Sequence, residues 1–553
     1  MAITRADSRL TDELIDRYVS AGYWNVPTFP ELLERNARLY PDQIGFIDDY
    51  RGISWRDLWD ATRRFATQLL QLGIGSGDVV GVQLPNRIEF VIALGGINSI
   101  GAVICPYVVS LRDSETKFVL SFSKAAAAIV PQPKAGQFDL VKMTAGLKPE
   151  LPDLKHIIVV GGGGRGSLLS FEALLQAGAP VNEVALRECA PGPHDINRVL
   201  FTSGSTGDPK GVVHTHATTI YSNIRQNEHM GVDRNSVLLL FIPVTLNWGM
   251  FQIMQTALAP CCLVLQEDFN AARVLETIEA RRVTHFGTPP TGLIALLNEP
   301  AVKTRDLKNL QLAVASGTSC PVELLVQTRA ILGCSVMEGY GMTECGWICA
   351  AGRDDIPEES VGTVGFPFPW MSVRIVDDSG KDVSPGTPGE ITMDGPCICV
   401  GYYRNPERNA ESWNAEGRFR SGDLGVIDPS GRMRIVGRTK DMIKHGGSMI
   451  YPREIEELIF THPKVMQVAV VGVPDDYFGE NSCACVIPKP GEQIELDELI
   501  AFLKNRIATY KLPQQLEIFD EFPFTSTGKV QKHALRKRVI ERKSAQQSRQ
   551  LHA

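Results

Sequence analysis

Short apolar runs alternate with helical stretches through the first two thirds of the chain. Apolar runs at 79–84 and 102–107 flank a helical segment at 90–100, which together make a β-α-β unit. Further apolar runs follow at 156–160, 198–202, 237–243 and 310–317. Because strands that alternate with helices usually build parallel sheets, this pattern predicts α/β layers. At 553 residues the chain exceeds what one core supports, so several domains are expected.

The pattern changes after about residue 360. Residues 373–395 read as short strands interrupted by Asp-Ser-Gly and Pro-Gly turns, which is typical of a small antiparallel β unit. From Gly437 onwards, a helix at 451–463, a strand at 465–474 and a final basic helix indicate a compact α+β unit. The predicted fold class is therefore α/β, with a large N-terminal domain of α/β layers plus a small β unit, followed by a small α+β C-terminal domain.

Composition and charge exclude several classes of protein. Lys and Arg total 56 and Asp and Glu total 63, a net charge of −7 that argues against nucleic acid as the main partner. The twelve cysteines contain no paired C-x2-C framework for zinc. The charged N-terminus has no apolar core of a secretory signal, so a cytoplasmic location is expected. The uncharged stretch 90–111 is broken by Gly, Asn and Pro, which favours a buried helix and strand over a membrane span.

A glycine- and hydroxyl-rich stretch, LFTSGSTGDPKGVVHTH, occupies 200–216. It does not fit the Walker A pattern G-x-x-x-x-G-K-[ST], because Gly207 is followed by Asp208. Its small residues, backbone N–H groups, hydroxyls and Lys210 still suit a polyphosphate. The glycine run at 161–166 matches G-x-G-x-x-G but lacks the expected helix and later acid, so a loop is predicted there.

The segment TSGSTGDPKG at 202–211 closely resembles the phosphate loop of the adenylate-forming superfamily. That superfamily includes acyl- and aryl-CoA synthetases, carrier-loading adenylation domains and firefly luciferase. The resemblance continues in the family's order along the chain, through YGMTE at 340–344, SGD at 421–423, GRTKDMIKHGG at 437–447 and FPFTSTGKVQK at 522–532.

The resemblance implies roles for individual residues. Thr343, Glu344 and Lys529 are the implied catalytic residues: Thr343 contacts the α-phosphate, Glu344 holds Mg²⁺, and Lys529 bridges the carboxylate and the α-phosphate. Asp423 and Arg438 would bind the ribose. The full set of implied ATP-binding residues is Thr202, Ser203, Gly204, Ser205, Thr206, Gly207, Lys210, Gly339, Tyr340, Asp423 and Arg438.

The reaction that the resemblance implies has two half-reactions in one site. An ATP-dependent carboxylic acid:CoA ligase first forms an acyl-adenylate and pyrophosphate, and then transfers the acyl group to the thiol of CoA. The small domain swings between the two steps, so the expected division is an adenylation domain at 1–439 and a mobile domain at 440–553. Lys440 is the expected hinge, and Gly446 and Gly447 would let the thiol arm of CoA pass.

The acyl pocket is the part of the chain that departs most from the family pattern. Leu246 stands where many relatives have the His of P-x-x-H, and Thr318 stands where a small Ala or Gly is usual. Asn247 matches an Asn with which aryl-acid adenylating enzymes often read a 2-hydroxyl group, although a loop-capping amide is the alternative. The residues expected to line the pocket are Leu246, Asn247, Trp248, Gly317, Thr318, Met342 and Trp347.

The expected substrate is an aromatic, alicyclic or medium aliphatic acid, together with ATP and CoA. The alternative is an aryl-acid adenylating enzyme that loads a carrier protein. The sequence shows no fused carrier domain, which favours free CoA as the expected acceptor. A P-loop kinase is excluded by the spacing of Lys210, and a homodimer is kept open as the assembly.

Overall fold

The computed structural model describes residues 2–162, 164, 166–176, 180–202, 209–318, 320–355, 362–445, 448–475, 477–524 and 530–551. Strands in these ranges form four sheets, two large and mainly parallel and two small and mainly antiparallel. The α/β fold class is confirmed, with a large N-terminal part that includes a small β unit and with a smaller C-terminal part.

The first large sheet has seven strands, β3 (Val79–Val82), β4 (Val103–Pro106), β5 (Ala127–Pro131), β6 (His156–Val160), β7 (Leu168–Ser170), β8 (Ile196–Thr202) and β9 (Lys210–Thr215). Their spatial order is β7-β6-β5-β3-β4-β8-β9. Neighbours are parallel except for the hairpin of β8 and β9. This hairpin therefore ends the sheet, and most of the glycine- and hydroxyl-rich stretch lies between its two strands in sequence, at 203–209.

The second large sheet has nine strands, β1 (Ile44–Ile47), β2 (Gly52–Ser54), β10 (Val237–Leu240), β11 (Cys262–Leu265), β12 (His285–Thr288), β13 (Leu312–Ser316), β14 (Ser335–Met342), β15 (Gly346–Ala350) and β16 (Phe366–Pro367). Their spatial order is β16-β15-β14-β13-β12-β10-β11-β1-β2. The six strands from β14 to β1 in this order are parallel to one another, whereas β15 runs antiparallel to β14 and β2 runs antiparallel to β1.

The two large sheets are joined and covered by helices α1 (Asp12–Ser20), α2 (Phe29–Leu39), α3 (Trp55–Gln71), α4 (Ile88–Ser99), α5 (Asp113–Ser123), α6 (Leu140–Leu147), α7 (Phe171–Gln176), α8 (Glu183–Glu188), α9 (His216–Met230), α10 (Asn247–Leu258), α11 (Ala271–Arg281), α12 (Pro290–Asn298) and α13 (Val322–Leu332). Helix α4 is apolar on all sides and is buried, and β4 follows it. The predicted buried helix and strand in the uncharged stretch are thus confirmed. In the described ranges no helix is long and apolar enough to cross a membrane.

The small β unit is a four-stranded antiparallel sheet of β17 (Ser372–Val376), β18 (Gly389–Asp394), β19 (Phe419–Ile427) and β20 (Met433–Arg438), with α14 (Pro406–Ser412) before β19. The C-terminal sheet contains β21 (Ile443–His445), β22 (Ser448–Ile450), β23 (Val465–Asp475), β24 (Gly479–Pro488) and β25 (Gln515–Ile518), and its helices are α15 (Pro452–Phe460), α16 (Leu496–Leu503) and α17 (Lys532–Leu551). Apolar residues of β23, β24 and the three helices form two small cores of their own.

Candidate active site

The hairpin of β8 and β9 brings the first motif to the edge of the seven-stranded sheet. Thr202 and Lys210 face each other in register as the last pair of the hairpin. The implied phosphate-loop residues Ser203, Gly204, Ser205, Thr206 and Gly207 lie between them, outside the described residues. Lys210 is thus the first residue of β9, paired with the last residue of β8.

A tight turn between β14 and β15 carries the second motif. Thr343 and Glu344 lie in this turn, and the peptide N–H of Cys345 closes it by donating to the carbonyl of Met342 at 3.2 Å. A turn at the end of two paired strands holds its residues on a rigid base, which suits groups that must be positioned accurately.

The segment 399–403 connects the β8–β9 hairpin to the β14–β15 turn. The N–H of Tyr403 donates to the carbonyl of Gly211 at 2.7 Å, and the N–H of Cys399 donates to the carbonyl of Glu344 at 2.6 Å. The two implied phosphate-site motifs, separated by more than a hundred residues in sequence, are therefore joined by one short strand-like segment.

Tyr402 places the side chains of these two motifs together. Its hydroxyl donates to Oε1 of Glu344 at 2.7 Å, and Nζ of Lys210 lies 5.5 Å from the centre of its ring. Partial burial and the nearby Arg408 cation lower the pKa of Lys210, against the opposing effect of Glu344. The Glu344 carboxylate and the Lys210 ammonium group thus both lie against Tyr402, close enough for the charge of Glu344 to act on the pKa of Lys210.

Asp423 is held by partners from two different sheets. It faces Arg438 across β19 and β20, and Nε of Arg438 lies 2.9 Å from its Oδ1. The Tyr340 hydroxyl donates to its Oδ2 at 2.6 Å. Asp423 is buried, whereas Arg438 is about half exposed. The Asp423 carboxylate is therefore held in position by the Arg438 guanidinium and the Tyr340 hydroxyl.

A buried polar network supports the carbonyl of Thr343. This oxygen accepts hydrogen bonds from Nε2 of His214 at 2.8 Å and from Nδ2 of Asn247 at 3.2 Å. Burial and, after it, the charge of Arg198 lower the pKa of His214 well below its usual value, so its imidazole is neutral at pH 7. Oδ1 of Asn247 accepts from Nη2 of Arg198 at 3.0 Å.

Trp248 and Trp347, two of the residues expected in the acyl pocket, line a cavity of about 30 Å³ between α9, α10 and the nine-stranded sheet. Each ring lies on a glycine of that sheet. A Cβ at Gly287 would come within 2.4 Å of Trp248, and a Cβ at Gly339 within 2.9 Å of Trp347. Glycine at both positions lets the two indoles approach the strands. The cavity is also lined by Met230, Gln226, Gln252 and Gln255.

The other expected pocket residues do not line this cavity. Leu246 is the residue before α10, and Met342 pairs with Gly346 in the hairpin of β14 and β15. Gly317 has a left-handed backbone (φ +91°), and Thr318 is exposed.

The remaining predicted residues belong to the C-terminal motifs. Lys440 is exposed and lies two residues after the end of β20. Gly446, Gly447 and Lys529 lie outside the described residues. Their roles stay predictions.

A buried ion pair links the C-terminal part to the nine-stranded sheet. Nη2 of Arg453 in α15 lies 3.7 Å from Oε1 of Glu338 in β14, and the N–H of Cys320 donates to the same oxygen at 3.1 Å. Burial, only partly offset by Arg453, raises the pKa of Glu338 to about 7. Helix α15 is thus joined to the nine-stranded sheet through a buried carboxyl group whose pKa is raised.

Tyr402, His214 and Arg198 were missed in the sequence. Tyr402 has no distinguishing spacing, and His214 lies within the glycine-rich stretch, where no pattern separates it from its neighbours. Arg198 does have a signal, because it is a single charged residue near the start of a buried, apolar strand.

Comparison with known proteins identifies the family. Residues 33–403 match the family model described as AMP-binding enzyme. The chain belongs to the AMP-binding enzyme family. Residues 454–529 match its companion model, the AMP-binding enzyme C-terminal domain. AMP-binding enzymes use ATP, and the members similar to this chain include acyl-CoA ligases and aryl-acid adenylating enzymes.

Similar members of the family are known from sequence and structure. Pyochelin synthase PchD of Pseudomonas aeruginosa is 33% identical over 531 residues, which cover 95% of each chain. The 2,3-dihydroxybenzoate-AMP ligase of Bacillus subtilis is 32% identical, over 96% of this chain and 97% of the ligase. The crystal structure of the anthranilate CoA ligase AuaEII in complex with anthranoyl-AMP superposes with a TM-score of 0.87 at 25% identity, over 94% of this chain and 99% of that one.

Proposed function

We propose that this AMP-binding enzyme is an ATP-dependent carboxylic acid:CoA ligase that forms an acyl-adenylate and then an acyl-CoA thioester. The acid is aromatic, alicyclic or medium aliphatic. The observation that carries the proposal is the position of Tyr402, which holds Glu344 and Lys210 on one side chain at the end of the phosphate loop. A polyphosphate bound there would meet a cation and a carboxylate already in position.

In the first half-reaction a carboxylate oxygen of the acid attacks the α-phosphorus of ATP, and pyrophosphate leaves. Both reactants are anions, so the enzyme acts mainly by positioning them and by neutralising charge. Lys210 would bind the leaving phosphates, Thr343 the α-phosphate, and Lys529 the attacking carboxylate. Asp423, fixed by Tyr340 and Arg438, would accept hydrogen bonds from the ribose hydroxyls.

Glu344 is the proposed protein ligand of Mg²⁺. In the described part of the chain, no group of three or more Asp, Glu, His or Cys side chains is placed so that it could hold a metal ion. One carboxylate fits Mg²⁺, because this ion is commonly held by one or two carboxylates together with substrate phosphates and waters. When bound, the ion would neutralise charge on the phosphates. The hydrogen bond from Tyr402 would keep the Glu344 carboxylate in one orientation for binding the ion.

In the second half-reaction the thiol of CoA attacks the acyl carbon, and AMP leaves with one oxygen of the original carboxylate. We place the adenylation domain at 1–439, the mobile domain at 440–553 and the hinge at Lys440. Rotation at this hinge would withdraw Lys529 and bring Gly446 and Gly447 to the acyl-adenylate. The exposed position of Lys440, two residues after β20, is compatible with a backbone that changes conformation there.

Loading of a carrier protein by an aryl-acid adenylating enzyme is the second candidate. The name of the Bacillus subtilis relative supports it, since a 2,3-dihydroxybenzoate-AMP ligase forms an aryl adenylate. AuaEII, as a CoA ligase for anthranilate, supports free CoA as the acceptor. Both named acids are benzoic acids with a polar group next to the carboxyl, so we place such aryl acids first among the substrates.

A pyrophosphate-release screen over aromatic, alicyclic and aliphatic acids tests the proposal. We expect release with a subset of the acids and, after addition of CoA, acyl-CoA and AMP in equal amounts. Adding a phosphopantetheinylated aryl carrier protein in place of CoA tests the second candidate. Absence of pyrophosphate release with every acid would contradict both, whereas thioester on the carrier but not on CoA would reject the CoA ligase alone.

A further inference from the structure

A buried ion pair crosses the boundary between the two proposed domains. Nη2 of Arg453 lies 3.7 Å from Oε1 of Glu338, and the two side chains are only 8% and 4% exposed. Arg453 belongs to α15, which follows the proposed hinge at Lys440 in the chain, whereas Glu338 belongs to β14, which precedes it. A rotation of the C-terminal domain at Lys440 would therefore separate these two charges.

Helix α15 packs on the two domains with two different faces. Ile455 and Ile459 are fully buried in the core of the C-terminal part. Arg453, Glu457 and Phe460 follow one another at i, i+4 and i+7, so they share the opposite face. Phe460 is partly buried against the core of the N-terminal part, and Nε of Arg453 donates to Oε1 of Glu457 at 2.8 Å. The face of α15 toward the N-terminal part is therefore largely charged.

A charged face of this kind suits a contact that forms and separates during a reaction. Burying an ion pair removes the hydration of both charges, which offsets much of their attraction. Separation of Arg453 from Glu338 would return that hydration, whereas separation of an apolar contact would only expose apolar surface to water. Interfaces between domains of one chain are accordingly more polar than permanent interfaces. The ion pair can thus fix the orientation of α15 without making it permanent.

Glu338 also connects this contact to the candidate active site. The N–H of Cys320, the last residue before the proline of SGTSCP, donates at 3.1 Å to the same Oε1 that faces Arg453. Two residues after Glu338, β14 presents Tyr340, whose hydroxyl holds the Asp423 carboxylate. The carboxyl group that α15 contacts is therefore fixed by the strand that leads into the catalytic turn and by the loop that precedes α13.

We propose that Arg453 and Glu338 form a latch between the two domains: their ion pair holds the C-terminal domain in the arrangement described above, and it separates when this domain rotates between the half-reactions. Arg453 is thus a positioning residue that does not touch the reacting atoms. This inference rests on the proposed two-step reaction and adds to it the contact that sets the domain arrangement. An ion pair that only stabilised the fold would affect both half-reactions to the same extent.

The test measures the two half-reactions separately in the full-length enzyme. Single-turnover pyrophosphate release reports adenylation, and conversion of a supplied acyl-adenylate with CoA reports thioester formation. Glu338→Gln and Arg453→Met each remove the ion pair. We expect each to change the ratio of the two rates by at least about fivefold, the low end for energetic coupling between sites. The change should have the same direction in both variants, because both release the same contact, and Arg453→Lys should lie closer to the wild type.

A double variant and a matched control separate the latch from general destabilisation. Glu338→Gln combined with Arg453→Met should show the ratio of either single variant and not the product of both effects, because the two changes remove one interaction. Lys511→Met is the control. It deletes the 2.6 Å ion pair between Lys511 and Glu454 of α15, which stays within the C-terminal part, and it should leave the ratio unchanged. Circular dichroism would show whether each variant folds.

Three outcomes would overturn the inference. They are an unchanged ratio of rates in either single variant, changes of opposite direction in the two, and the same change in Lys511→Met. If Arg453→Met does not fold, Glu338→Gln decides alone, because a glutamine nearly matches the size of the glutamate it replaces. Absence of pyrophosphate release by the wild-type enzyme with every acid would instead contradict the proposed function.

Discussion

Replacement of Tyr402 by phenylalanine tests how the candidate site holds its carboxylate. The substitution removes the hydroxyl that donates to Glu344 at 2.7 Å and keeps the ring that lies next to Lys210. A hydrogen bond to a charged group contributes about 1.5–3 kcal/mol. Because Glu344 is only half-buried, the lower end of this range applies, so we expect about a tenfold loss in kcat/KM for adenylation.

The assay is pyrophosphate release at several Mg²⁺ concentrations, with an acid that the wild-type enzyme accepts. We expect the Tyr402→Phe enzyme to require more Mg²⁺, because its Glu344 carboxylate is no longer held toward the phosphates. Tyr403→Phe is a matched control, since the hydroxyl of this neighbouring buried tyrosine makes no hydrogen bond to the described residues. Equal rates and equal Mg²⁺ dependence in the two variants would refute the role of Tyr402.

Three further changes test other parts of the enzyme. Lys440→Pro should impair thioester formation more than pyrophosphate release, because proline restricts the proposed hinge, and equal loss in both steps would argue against that hinge. Lys529→Ala should abolish pyrophosphate release yet let a supplied acyl-adenylate react with CoA; loss of both reactions would contradict its restriction to adenylation. The folded-state pKa of Glu338, about 7, lies above its ordinary value of 4.5, so its protonation stabilises the folded state below about pH 4.5 and this stabilisation is lost as the pH rises through 7. Glu338→Gln should remove this pH dependence, which amounts to about 3 kcal/mol in the free energy of unfolding. Denaturant unfolding of the wild type and the variant at pH 5 and pH 8 measures it. An unchanged pH dependence in the variant would exclude Glu338 as its source.

Much of the fold follows from patterns that are local in sequence. The apolar run, helix and apolar run at 79–107 become β3, α4 and β4, because a segment that is apolar on all sides can only be buried. The Asp-Ser-Gly and Pro-Gly turns at 373–395 separate β17 from β18 for an equally local reason, since these residues favour tight turns.

The assignment of strands to sheets could not be predicted from these patterns. Strand β1, from the first 50 residues, pairs with β11, more than 200 residues later, and thereby extends the nine-stranded sheet. Such a pairing depends on how helices pack between the sheets. No periodicity of the strand itself records its partner.

The candidate site shows the same division. The motifs around Lys210, Thr343, Glu344 and Asp423 are recognisable because they resemble, in the same order along the chain, the motifs of the adenylate-forming superfamily. The side chains that orient them were not recognisable. Tyr402 reaches Glu344 only because the segment 399–403 runs beside β9, and Arg198 reaches Asn247 only because β8 lies under the start of α10.

The central claim is that a carboxylate is activated as its adenylate, and the fate of the carboxylate oxygen tests it most directly. An accepted acid labelled with ¹⁸O in its carboxyl group would be converted with ATP and CoA, and the products examined by mass spectrometry. The account predicts one ¹⁸O atom in AMP and none in pyrophosphate, because the attacking oxygen stays on the α-phosphorus. Unlabelled AMP, or ADP with labelled phosphate, would contradict it.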